Sequence, residues 1–157
     1  MKDHHIQLSK WEKDFLDRID AENIDNLSTK RNDSNLLLVT KSCPCKNIEY
    51  ITACISDQEI ILTCKISHKH FDSTAWDGKS FGVNQRQMIG KAAIEFLDFI
   101  SGKIIVSQVY DLQKRVIGSG WSRMDTPEID NEEYENLIKE IYGETYKKEW
   151  NWDGEIK

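Results

Sequence analysis

The sequence predicts an α+β fold: one domain with a mostly antiparallel sheet of four or five strands and about three helices packed on it. Three observations carry that prediction. The chain has 157 residues, a natural length for one domain. Its clearest local pattern is a β-hairpin, and its helical stretches are too few for a doubly wound parallel sheet. With 39% apolar, 10% aromatic and 31% charged residues, it also has the composition of a folded, water-facing chain rather than a disordered one.

The first helix should start at Ser9. Ser9-Lys-Trp-Glu12 has the form of a capping box, and Trp11, Phe15, Leu16 and Ile19 then share one stripe. Residues Ser28 to Asn35 are polar and read as a loop. Leu36 to Thr40 is an apolar run of strand length, stopped by Ser42-Cys-Pro44.

Two further runs fit a hairpin closed at Asp57-Gln58. With that turn, Ile51 faces Cys64, Ala53 faces Leu62 and Ile55 faces Ile60. Tyr50–Lys65, Thr52–Thr63 and Cys54–Ile61 lie on the other side. One face is wholly apolar, as a one-sided core requires. Asp-Gln is not a favoured two-residue turn, so a four-residue loop with the same pairing fits equally.

Ser67 to Asn84 reads as a loop rich in polar and aromatic groups. A second helix over about Asn84–Ser101 follows from the spacing of Ile89, Ala92, Ala93, Phe96, Leu97 and Ile100, with Gly102 at its C-terminal cap. Lys103 to Tyr110 is strand-like, and Arg115 to Ile117 suggests a short strand. The last helix is expected from Thr126-Pro127 to Gly143, with Tyr134, Leu137, Ile138 and Ile141 as its apolar stripe. Residues 126–157 thus form an acidic C-terminal helix and a charged tail.

Charge is unevenly placed. Residues 125–157 hold eleven carboxylates against four lysines, a balance of −7, whereas the first 124 residues balance at +1. Such a face repels phosphate backbones and attracts basic surfaces, which argues against nucleic acid as a ligand. No apolar run approaches the ~20 residues of a membrane-spanning helix. The polar N-terminus lacks the apolar stretch of a signal peptide. A cytoplasmic location is therefore expected, with Cys43, Cys45, Cys54 and Cys64 as reduced thiols.

No complete catalytic or cofactor motif is present. Cys43-Pro-Cys45, Cys64, His68 and His70 are ligand types, but one intervening residue is not the usual zinc spacing, so no metal is assigned. Gly118-Ser-Gly120 has the spacing of neither a dinucleotide fingerprint nor a P-loop. His68, His70 and Asp72, with Lys69 or Lys79, could supply acid–base groups for a small hydrolase or metal enzyme. Nothing in the sequence orients them.

The acidic C-terminal third carries Trp121, Tyr134, Tyr142, Tyr146, Trp150 and Trp152 among its carboxylates. Aromatic anchors inside a charged rim suit a protein interface. In this profile, and in the segment Asp125 to Glu155, the chain resembles bacterial immunity proteins, the dedicated inhibitors of polymorphic or contact-dependent growth inhibition toxins. The resemblance implies a non-enzymatic protein that binds a basic toxin domain, often a nuclease. The implied contacts are Glu132, Glu133, Glu135, Trp150, Trp152 and Asp153. A partner that is a second copy of the same chain is the third possibility.

Overall fold

The computed structural model describes residues 6–72, 85–126 and 131–157. The first helix, α1 (Lys10–Asp20), opens on the expected capping box. Ser9 Oγ accepts the Glu12 amide at 3.2 Å, and the Glu12 carboxylate accepts the Ser9 amide at 2.8 Å. Glu12 has a second task. It is buried, and both of its oxygens accept from Arg31, at 2.7 and 2.8 Å. The cap of one helix is thereby tied to the first strand.

That strand, β1 (Ser28–Arg31), lies in the stretch expected to be a loop; it pairs antiparallel with β2 (Leu37–Ser42). Its side chains carry no apolar signal because it is an edge strand exposed at three of four positions. β3 (Tyr50–Ile55) and β4 (Glu59–Thr63) form the predicted hairpin in the predicted register, from Thr52–Thr63 to Ile55–Ile60.

The ladder ends at Ile55–Ile60, and Ser56 to Glu59 closes it with one backbone hydrogen bond. The Ser56 amide donates to the Glu59 carbonyl at 2.9 Å, and Ser56 Oγ accepts the Glu59 amide at 2.9 Å. A serine hydroxyl thus supports a turn whose central residues are not the favoured ones. The ladder stops at Thr63, so the outer pairs expected at Ile51–Cys64 and Tyr50–Lys65 do not form. The Cys64 amide turns to the Ser67 carbonyl and the Lys65 amide to that of Ile48. β5 (His68–Asp72), within the expected loop, then pairs with β4 and closes a five-stranded meander, β1 to β5.

Helix α2 (Gln85–Ile100) buries Met88, Ile89, Ala92, Ala93, Phe96 and Phe99. It packs against α1 and β3 to β5, and ends at Gly102, whose φ of 80° is a left-handed value that glycine tolerates. Beyond it, β6 (Ile104–Asp111) pairs with β7 (Val116–Arg123) on one side and with β8 (Thr145–Asn151) on the other. β9 (Gly154–Ile156) adds to β8.

The α+β class is as predicted, but the strands divide into two antiparallel sheets instead of one, the second ordered β7-β6-β8-β9. The segment expected as a tail supplies half of that second sheet. β7 and β8 each run antiparallel to β6, hence parallel to each other. Helix α3 (Glu132–Tyr142) is the crossover between them. The expected start at Pro127 lies outside the described residues; the Asn131 side chain caps the helix by accepting the Tyr134 amide.

The two sheets meet through α2. Glu95, 5% exposed on that helix, accepts from Lys69 of β5 at 2.8 Å, from the Trp121 indole of β7 at 2.9 Å and from Arg123 of β7 at 2.6 Å. Arg123 also bonds Asp98 one turn further along α2. A buried carboxylate so satisfied is stable only while its donors remain.

Two predictions follow from these ion pairs. Glu95→Ala strands the partly buried Arg123 and the Trp121 N–H, and should lower unfolding stability by about 3 kcal/mol in urea titrations. The second concerns acid. Hydrogen bonds from Arg31 hold the Glu12 carboxyl below its ordinary value. For Asp98, burial pushes upward, but the bonds from Arg123 and Lys103 outweigh it and lower the pKa. A pKa lowered by folding stabilises at pH values above the unfolded carboxylate range, and that stability is lost as pH falls through the lowered folded value. Unfolding free energy should therefore decline below about pH 4.5, and Arg31→Ala should flatten that decline.

Candidate functional site

The apolar stripe expected on helix α3 is present, and it is not covered: no residue of α3 is buried, and Tyr134, Leu137 and Ile141 are 60%, 50% and 60% exposed. The stripe has correct helical spacing, with Ile138 half-buried toward the sheet. Its flanks are carboxylates. Glu132, Glu133 and Glu135 occupy the first turn, where the helix dipole favours negative charge, and Glu140 follows. Residues 131–144 hold five glutamates and one lysine, a balance of −4.

Between α3 and the outer face of the second sheet runs an open groove of about 460 Å³. Tyr134, Glu135 and Ile138 line its helix wall; Val109, Ile117 and Lys147 line the sheet wall. The lysines nearby are paired: Lys139 with Glu144 at 2.9 Å and Lys147 with Glu149 at 2.6 Å. More apolar surface continues at the β6–β7 turn, where Leu112 is 72% exposed. Large apolar groups thus stand in water beside carboxylates.

The implied contact residues part company here. Glu132, Glu133 and Glu135 stand on α3 and are exposed. Trp150 and Trp152 do not join them. They are buried in the core, Trp150 facing Val106 across the β6–β8 ladder and Trp152 edge-on to Phe99. As surface anchors they are withdrawn. Asp153 sits at the β8–β9 turn beside Gly102, away from the groove lining. Tyr134 was legible both as part of the stripe and as an interface aromatic, whereas Leu137 and Ile141 were legible as a stripe only; the missing signal was a second layer for the helix to cover.

The histidine cluster is also divided. His68 and His70 lie on the exposed face of β5 with their rings 5.1 Å apart, and His70 Nδ1 contacts Glu59. Lys69 points to the opposite face, toward Glu95, and Lys79 lies outside the described residues. Among the described residues, no group of three or more His, Cys, Asp or Glu is placed to hold a metal ion.

The four cysteines are free thiols, two of them buried. Burial pushes the Cys43 thiol up to about 11 and raises those of Cys54 and Cys64, and Cys43 donates to the Trp152 carbonyl at 3.4 Å. No helix among the described residues is long and apolar enough to cross a membrane. No family model matches the chain, and searches of curated proteins and of solved structures returned no match.

If the stripe of α3 serves binding and not folding, truncating it should leave stability intact. Leu137→Ala with Ile141→Ala should change the unfolding free energy by less than about 1 kcal/mol, whereas Trp150→Ala should cost about 3–5 kcal/mol. Thermal denaturation of the two variants decides this.

Proposed function

We propose that this protein is a non-enzymatic binding protein, a cytoplasmic immunity protein that neutralises a cognate basic toxin domain. The observation that carries the reading is α3, an amphipathic helix whose apolar stripe faces water between rows of glutamates. Leaving such a stripe uncovered gives the monomer nothing in return, but it supplies desolvated anchors to a partner.

The chemistry of the surroundings selects that partner. Carboxylates around the stripe steer a cationic surface toward it and raise the association rate. A toxin inhibitor must capture its target before the target acts, so a steered encounter suits the task. Lysine or arginine side chains of the toxin would meet Glu132, Glu133 and Glu135, while an apolar side chain enters beside Tyr134 and Ile138.

A small hydrolase or metal enzyme built on His68 and His70 draws support from the His70–Glu59 pair alone. Substituting both histidines should leave toxin neutralisation intact.

The test is affinity capture of the tagged protein from its native cells. The expected result is one basic protein at near-equal amount, with association slowed about tenfold by Glu132→Gln, Glu133→Gln and Glu135→Gln together, and a weaker dependence on salt. Unchanged association by the triple variant would sink the role given to α3.

A further inference from the structure

The two sheets present four edge strands, β1, β5, β7 and β9. Three carry the usual protection against edge-to-edge pairing. β1 has Lys30 and Arg31, β5 has Lys69 and Asp72, and β9 is three residues long with Glu155. β7 differs. It is eight residues long, and Val116 to Ser122 contains no charge and no proline. Exposed Val116 and Met124 flank its ends.

We propose that β7 is a self-association edge, pairing antiparallel with β7 of a second copy to join two four-stranded sheets into one.

The backbone fixes which groups face outward. The Met124 amide donates to the Lys103 carbonyl of the β6 side at 2.9 Å. Main-chain groups alternate along a strand, so those of Ser122 and Gly120 also face β6 and those of Trp121 and Ser119 face outward, while the Arg123 carbonyl accepts the Thr126 amide at 3.3 Å. A twofold axis normal to the sheet requires one residue to face its own copy. Centred on Gly120, Ser119 faces Trp121 of the second copy and exchanges hydrogen bonds with it, on both sides of the axis. Gly120 then meets itself at a non-hydrogen-bonded position, where backbones approach to about 4.5 Å.

The ends also match. Val116 begins β7 and Met124 lies in the turn just after it, so antiparallel pairing in this register sets the start of one strand beside that turn of the second copy and brings two exposed apolar groups near each other. It brings Arg115 toward Asp125, whose side chains are 70% and 83% exposed and otherwise reach Asp111 and Arg123 of their own chain. Centring on Ser119 instead would set Arg115 against Arg123. The contact does not use the acids of α3, so it stands or falls apart from the toxin reading.

The experiment is sedimentation velocity of the full chain over a wide concentration range, with disulfide trapping as the register test. The wild type should shift toward the dimer as concentration rises, and Ser119→Pro, which removes an outward amide, should abolish the shift. The Gly118→Cys/Ser122→Cys double variant should form a covalent dimer on mild oxidation, because these residues face each other across the axis at disulfide distance. Either single variant should not. A cysteine at 118 meets no atom within 4 Å, so the trap does not depend on the proline variant folding. A wild type that stays monomeric throughout, or single variants that cross-link as readily as the double, would overturn the proposal.

Discussion

The carboxylate of Glu95 is the constraint on which the rest of the molecule depends. A charge on the buried side of a helix is unfavourable unless donors surround it, and here three arrive from two separate strands. Lys69 comes from the first sheet, Trp121 and Arg123 from the second, and the helix that carries Glu95 lies between them. Apolar packing of Phe96 and Phe99 holds α2 against both sheets without specifying an angle. The hydrogen bonds add direction, so the pairing of sheets acquires a unique geometry.

The same economy explains what α3 is left to do. With both faces of α2 occupied, the inner face of the second sheet is already covered by Phe99, Trp121, Trp150 and Trp152. The crossover from β7 to β8 must pass over the outer face, where no core waits for it. Its apolar stripe and the sheet enclose a groove instead of a seam. The acidic flanks then bear on what enters that groove, not on how the chain folds.

Much of this was legible in the sequence, and the failures have a common cause. The capping box at Ser9, the register of β3 and β4, and the glycine end of α2 rest on local rules that tertiary context did not override. β1 was missed because an exposed edge has no alternation to read. β8 was missed because Lys147, Lys148 and Glu149 mask a period-two pattern in which Tyr146 and Trp150 point one way; Tyr146 stacks on Tyr110 with centroids 5.2 Å apart. The tryptophans looked like surface anchors because they sit among charges. The exposure of the α3 stripe was beyond sequence reasoning altogether, since amphipathicity states that a face wants cover and not whether cover exists.

The placement of β8 has a consequence for how the chain is made. The first sheet is a meander of sequence neighbours and can form as each strand emerges during synthesis. The second sheet cannot. β6 waits with one side open until a partner some forty residues downstream is translated, as the pairing of Val106 with Trp150 requires. In that interval β6 keeps one edge open and Phe99, already against Trp121, still lacks its edge-on partner Trp152.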